Sequence, residues 1–132
     1  MPSGGSDPGD ELRSEELYTL YRRGIELLED GDFVAARPPL EEAARRAPDK
    51  SSVREALGRT YFRLRNFSGA AIEFNAVVES QPVNDYAHFC LGRALSKTGD
   101  IARAQHHLAL AANLRPDRSD YRAYRERLAS AS

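Results

Sequence analysis

LGRTYFRLRNFSGAAIEFNAVVESQP, residues 57–82, contains two successive apolar patterns with helical spacing. Its first apolar residues, Leu57, Tyr61 and Leu64, recur every three or four positions, which is the spacing of an amphipathic helix. A second run of the same kind follows Asn66, a residue type that commonly caps a helix. Pro82 then stops this second run. The stretch therefore predicts two helices joined by a tight turn.

The same pattern recurs at a constant interval of 34 residues on both sides of this stretch. Four columns of similar residues keep this interval: Pro48, Pro82 and Pro116; Gly24, Gly58 and Gly92; Ala36, Ala70 and Ala104; and Leu40, Phe74 and Leu108. Four columns in one register indicate an internal repeat. We expect three copies, in which the glycine column lets the two helices of each copy approach closely while the bulky column fills the space beside it.

These columns resemble the tetratricopeptide repeat family, whose 34-residue motif runs Leu-Gly, Tyr, Ala, Phe, Ala, Pro. The second copy matches best, and the resemblance covers about residues 17–118. It implies an all-α fold, a right-handed α-solenoid of three antiparallel helix hairpins plus a capping helix. Some positions depart from the motif: the early aromatic residue is replaced in every copy, and Arg23 stands in place of the Leu that precedes Gly24. The replacements of the aromatic residue are Leu20, Arg54 and His88.

The repeat register divides the chain into a tail and one domain. We predict a disordered tail over residues 1–13, because its start is rich in Ser, Gly, Pro and Asp and cannot offset the entropy of ordering. The repeat domain spans 14–130, with repeats 17–50, 51–84 and 85–118 and a capping helix over 119–129. Within the first repeat, Pro38-Pro39 predicts a late helix start or a kink.

The overall charge gives no sign of a strongly basic protein. The 19 Lys and Arg nearly cancel the 20 Asp and Glu, so a nucleic-acid binder is not favoured. No apolar run is long enough to span a membrane, and the single cysteine, Cys90, cannot form an internal disulfide. We expect a soluble, cytoplasmic protein.

No arrangement of residues indicates catalysis or a cofactor. His106 and His107 are adjacent, so on a helix they point about 100° apart and are poorly placed to hold one metal ion. His88 occupies a packing column, and Cys90 lacks a third residue that would orient a base beside it. We therefore predict no catalytic, metal or cofactor site, and a protein that is not an enzyme.

In the family that this chain resembles, the first helices of successive repeats line a concave groove. The groove positions give two columns with basic members and a set of aromatic residues: Ile25, Arg59, Arg93 and Arg127; Glu29, Arg63 and Lys97; and Tyr18, Tyr21, Phe62, Tyr86 and Phe89. A surface that is cationic and apolar together suits an acidic or amphipathic peptide with hydrophobic anchors. The alternative is that these arginines are solvated helix faces, with their stems covering apolar neighbours.

Some members of the family hold a partner's terminal carboxylate with a clamp of Lys, Asn, Asn, Lys and Arg. The matching positions here carry none of these residues: they are Tyr21, Ile25, Ala56, Tyr86 and Cys90. The resemblance thus implies an interaction module or adaptor that does not use this clamp. Binding of single-stranded nucleic acid in the same groove, and self-association as a homo-oligomeric scaffold, stay open as alternatives.

The acidic residues near the start suggest a further hypothesis. Asp7, Asp10, Glu11, Glu15 and Glu16 outweigh Arg13, so the tail could transiently occupy the basic groove and weaken partner binding.

Overall fold

The computed structural model describes residues 8–131, and these residues form seven α-helices and no strand. The helices are α1 (Pro8–Glu29), α2 (Phe33–Arg46), α3 (Ser51–Arg63), α4 (Phe67–Ser80), α5 (Asp85–Thr98), α6 (Ile101–Leu114) and α7 (Ser119–Ala131). The all-α prediction is confirmed.

Consecutive helices pack against each other along the whole array. The turns inside each pair, such as the one between Glu29 and Phe33, are so short that the paired helices run antiparallel. The pairs are α1 with α2, α3 with α4, and α5 with α6, and α7 covers the last of them. Helices α3, α5 and α7 begin at Ser51, Asp85 and Ser119, which are separated by the repeat interval seen in the sequence.

One glycine in each pair allows the two helices to approach closely. A Cβ atom added at Gly24 would lie 2.4 Å from Leu40 Cγ, and one added at Gly92 would lie 2.6 Å from Leu108 Cγ. At Gly58 the corresponding distance is 2.9 Å to Cε2 of Phe74. These distances are shorter than van der Waals contact, so only glycine fits. The three glycines are therefore equivalent, each covered by the bulky residue of its own copy.

The turn inside each pair is also built in the same way three times. Asp32, Asn66 and Asp100 cap the second helices, accepting hydrogen bonds from the backbone N–H groups of Ala35, Gly69 and Arg103. The residue before each cap adopts positive φ, namely Gly31 at 82°, Arg65 at 64° and Gly99 at 92°. The middle turn thus places a side chain where its two counterparts have glycine.

The face of α1 that points away from the array is polar. Val53 and Leu57 on α3 are buried between copies, whereas their counterparts in the preceding copy, Thr19 and Arg23, are exposed. This explains why Arg23 departs from the repeat motif, since within the described residues no helix covers that face. At the other end, Tyr121 of α7 is fully buried, in the same column as Val53.

Two local predictions are wrong. Residues 8–13 belong to α1 and are not disordered, while residues 1–7 lie outside the described residues. Pro8 is suited to the first helical position. Asp10 and Glu11 lie in the first turn, where their negative charge interacts favourably with the positive end of the helix dipole. The late start of α2, one of the two alternatives predicted for Pro38-Pro39, is also wrong, because the helix begins at Phe33 and continues past both prolines; the other alternative, a kink, stays a prediction.

The positive φ of Arg65 leads to a stability prediction. Replacing Arg65 with Gly should raise the free energy of unfolding by about 1 kcal/mol, because an L-residue in the left-handed region costs roughly that much. Thermal unfolding should then shift upward by about 3–6 °C. Arg65→Ala is the control, since it removes the side chain and keeps the unfavourable φ. An equal gain in both variants would show that the side chain, and not the backbone, limits stability.

Candidate functional site

A cavity of about 210 Å³ opens on the side formed by the first helices of successive copies. Helices α1, α3 and α5 supply seven of its nine lining residues, and α2 and α4 supply one each. The lining residues are Leu28, Phe33, Arg59, Phe62, Arg63, Phe74, Tyr86, Cys90 and Arg93. Three guanidinium-bearing side chains therefore share a small cavity with aromatic walls.

Arg93 is the most constrained of these arginines. Its guanidinium carbon lies 4.7 Å from the ring centre of Phe62, 5.4 Å from that of Tyr124 and 5.7 Å from that of Phe89. The Nε–H group of Arg93 is buried and donates to no acceptor within the described residues. Cation–π contacts thus hold Arg93 in place, while one of its buried donors stays unpaired.

None of the three arginines has a carboxylate partner within ion-pair distance in residues 8–131. Eight other arginines do pair with Asp or Glu: Arg13, Arg22, Arg45, Arg46, Arg54, Arg103, Arg115 and Arg118. The guanidinium of Arg63 instead lies 4.3 Å from the ring centre of Phe33. Arg59 has an electrostatic neighbour in Glu55, whose pKa is raised by burial against the opposing effect of Arg59.

The other polar groups of the cavity are neutral. Burial raises the pKa of the Cys90 thiol to about 12, so the sulfur is protonated near pH 7 and is a poor nucleophile. Burial also raises the pKa of the Tyr86 hydroxyl, which interacts with Cys90. The cavity is therefore cationic, with nothing in its lining that neutralises the arginines.

The structure brings together five of the residues predicted for the groove: Arg59, Phe62, Arg63, Tyr86 and Arg93. The other six do not line the cavity. Tyr21 and Ile25 pack against the core between α1, α2 and α3, and Tyr18 is 62% exposed.

The remaining residues lie towards the cap. Phe89 stacks on Tyr121 at a distance of 4.6 Å between ring centres, so α7 covers it. Arg127 lies over Tyr124, and Lys97 is exposed in the last turn of α5.

Sequence reasoning missed four lining residues, namely Leu28, Phe33, Phe74 and Cys90. Leu28 and Phe74 are core residues whose edges reach the cavity, so no surface pattern marks them. Phe33 had a usable signal, because the equivalent positions of the next two copies, Phe67 and Ile101, are also large and apolar.

The tail hypothesis does not fit the structure. Asp10, Glu11, Glu15 and Glu16 are part of the continuous helix α1, and the carboxylate of Glu16 lies 2.8 Å from Nη1 of Arg46 on α2. These residues are therefore not a loose acidic segment that could fold into the cavity. Asp7 lies outside the described residues.

A second polar feature repeats away from the cavity. In the second copy, the guanidinium of Arg54 donates to Glu73 (2.9 Å) and to the carbonyl of Pro48 (2.8 Å). In the third copy the corresponding positions are His88 and His107, with 3.0 Å between their Nδ1 atoms.

The tautomers of this histidine pair follow from its neighbours. His88 Nε2 lies 2.8 Å from the carbonyl oxygen of Pro82 and must donate to it. In the neutral ring, His88 Nδ1 then accepts from His107 Nδ1–H. The pair is a packed structural contact, and no group of three or more metal-ligating side chains occurs in the described part of the chain.

Comparison with known proteins agrees with this architecture. Residues 21–85 match the family model of the tetratricopeptide repeat. The first tetratricopeptide repeat domain of Spaghetti (RPAP3), solved bound to the HSP90 peptide SRMEEVD, superposes with a TM-score of 0.82 at 18% identity, over 89% of this chain and 94% of that one. No curated protein sequence matches the chain.

Two further solved structures are similar. The first such domain of human RPAP3 gives a TM-score of 0.78 at 17% identity, covering 87% of this chain and 91% of that one. MamA from Desulfovibrio magneticus RS-1 gives 0.82 at 20% identity, covering 85% of this chain but only 63% of its own.

The chain is a tetratricopeptide repeat protein, as its sequence columns indicated. Residues 21–85 carry the family match, and α5 and α6 repeat the same geometry as a third copy. Such domains are protein–protein interaction modules. Within residues 8–131, no helix has the length and apolar character needed to cross a bilayer.

The histidine pair predicts how stability changes with pH. Burial, and then the neighbouring His88, lower the pKa of His107 from 6.5 to about 4. The unfolded chain therefore binds a proton between these values while the folded chain does not, so stability falls as the pH drops from 6.5 towards 4. Because His107 is partly exposed, we expect a loss of about 1–2 kcal/mol from this group, measured by urea unfolding.

Matched variants test this assignment. His107→Glu imitates the Arg54–Glu73 pair of the preceding copy, so its carboxylate should pair with protonated His88 and reverse the trend. His106→Glu, at the exposed neighbouring position, should leave the trend in place. The assignment is wrong if both variants keep the pH dependence of the wild type.

The two kinds of arginine should also differ in their contribution to stability. Arg54→Met leaves the buried Glu73 without its partner and should cost about 2–3 kcal/mol. Arg93→Met keeps the contacts with the rings and removes an unpaired buried donor, so it should cost less than about 1 kcal/mol. Chemical denaturation of the two variants gives the comparison, and an equal loss in both would mean that Arg93 is a structural residue.

Proposed function

We propose that this chain is an adaptor that binds an acidic or amphipathic segment of a partner protein at the cavity between α1, α3 and α5. The observation that carries the proposal is the set of three arginines without carboxylate partners, Arg59, Arg63 and Arg93. Held side by side, like charges repel unless something anionic neutralises them. Phe62 and Tyr86 add apolar surface for a hydrophobic anchor of the same segment.

The relative solved with a peptide supports a peptide ligand for this fold. That peptide, SRMEEVD, contains three acidic residues. In this chain the positions of the carboxylate clamp are not cationic: Tyr21, Ile25 and Ala56 pack into the core, and Tyr86 and Cys90 are neutral. We therefore assign anion binding to the three arginines, at a site different from the clamp.

The two alternatives have less support. A nucleic acid has a row of phosphodiesters, which calls for basic residues along an extended track, whereas Arg59, Arg63 and Arg93 share one small cavity. Self-association through the outer face of α1 is disfavoured by its exposed Thr19 and Arg23. The cytoplasm remains our proposed location, because the single buried cysteine fits a reducing compartment.

A peptide selection tests the proposal. The full chain, immobilised at low salt, is used to select from a display library of random peptides. We expect the recovered peptides to be enriched in Asp and Glu together with Leu or an aromatic residue. Their affinity, measured by fluorescence anisotropy, should fall by about tenfold or more in an Arg59→Gln variant and decrease with added salt.

Arg103→Gln is the matched control, because Arg103 is exposed on α6 and should not affect binding. Recovered peptides that are basic, or that bind Arg59→Gln as tightly as the wild type, would contradict the proposal. Tighter binding of single-stranded oligonucleotide than of any selected peptide would favour the nucleic-acid alternative.

A further inference from the structure

The charge of the cavity exceeds what one carboxylate can balance. Arg59, Arg63 and Arg93 contribute three positive charges, and no carboxylate of residues 8–131 lies within ion-pair distance of them, although Glu55 is an electrostatic neighbour of Arg59. Counting Glu55 as one negative charge leaves two positive charges without an ion-pair partner. A single Asp or Glu of a partner would therefore leave about one positive charge unbalanced at the site.

The hydrogen-bond donors at the site likewise outnumber the acceptor oxygens of one carboxylate. An arginine has five N–H donors in a fixed planar arrangement, and the carboxylates that occupy the donors of Arg54 or Arg115 have no counterpart at this cavity within the described residues. The rings of Phe62, Phe89 and Tyr124 fix the guanidinium of Arg93 before any ligand arrives, and its unpaired Nε–H is buried, so this N–H is not counted among the donors open to a ligand. The site thus offers more pre-positioned donors than the two oxygens of a carboxylate can use.

A phosphate monoester matches both the positive charge and the hydrogen-bond donors of the site. Near pH 7 it carries about −1.5 to −2 charges and presents three strong acceptor oxygens. The cavity of about 210 Å³ has room for one such group together with its side chain. Arginine clusters are a recurring means by which proteins recognise phosphorylated or acidic motifs.

We infer that the anion recognised by Arg59, Arg63 and Arg93 is the phosphate of a phosphorylated serine or threonine in the partner segment. This inference rests on the proposed function and deepens it. Partner binding would then depend on phosphorylation of the partner, with Phe62 and Tyr86 contacting the neighbouring residues of its chain.

The test compares two probes of equal shape and different charge. N-acetyl-O-phosphoserine N-methylamide is a near-dianion at about pH 7.5, whereas the O-sulfoserine analogue stays a monoanion. Each is titrated into the full chain while the Arg93 Nε–Hε resonance is followed by NMR. We expect both probes to shift this resonance, with a Kd for phosphoserine that is lower by at least about tenfold.

Lowering the pH to about 5 should reduce this preference to less than about threefold, because the phosphate then carries one charge. The sulfoserine titration at both pH values corrects for other titrating groups. Arg93→Gln and, independently, Arg59→Gln should lose the preference, whereas Arg103→Gln should keep it. For the Arg93→Gln variant, the backbone amide resonances of α5 report binding.

Equal affinities for the two probes at the higher pH, or no shift of the Arg93 resonance by either, would overturn the inference. So would a thymidine oligonucleotide that shifts this resonance at a lower concentration than phosphoserine. A different experiment, the peptide selection, decides on the proposed function. That function is supported if the unphosphorylated acidic peptides need Arg59 for binding, and it is contradicted if they do not.

Discussion

The close approach of two helices at a glycine, repeated three times, determines how the helix pairs of this chain stack. Leu40, Phe74 and Leu108 occupy the space that a Cβ atom at the facing glycine would need. Because this contact sets the separation within each pair in the same way, successive pairs stack with the same register. Equivalent residues of successive first helices thereby become neighbours, and Arg59 and Arg93 come to line one cavity.

The stacking also explains why the site is cationic. Several arginines of the second helices and turns are paired with acids close by in sequence, such as Arg115 with Asp117 and Arg118 with Asp120. The first helices place Arg59, Arg63 and Arg93 on a face where no carboxylate of the described residues is within ion-pair reach. The guanidinium groups of Arg63 and Arg93 lie instead over aromatic rings, which immobilise them without neutralising their charge.

Much of this architecture could be predicted from the sequence, because each copy of the repeat has similar residues at the same contact. The glycine column, the caps Asp32, Asn66 and Asp100, and the cover provided by Tyr121 all follow from spacing and residue type. The prediction that the tail is disordered failed over residues 8–13, since composition does not show that a helix nucleated by packed residues further along can extend at little cost.

The site could be predicted only in part. Spacing places Arg59 and Arg93 in one column, yet it does not reveal that α7 covers Phe89 or that Tyr21 and Ile25 turn into the core. The pairing of His88 with His107 was also beyond reach, because it joins two helices of one copy at positions where the other copies carry different residues. Side-chain direction and the presence of a capping helix decide these points, and both need three-dimensional structure.

In the proposed site, Arg59 and Arg93 act together on one anionic group of a partner. A double-mutant cycle tests it most directly, using Arg59→Gln, Arg93→Gln and the double variant with a peptide obtained by selection. We expect a coupling energy of about 1 kcal/mol or more, because either substitution alone already disrupts the shared contact. Effects that simply add would contradict it, since they would mean that the two arginines bind independently or only sit beside each other.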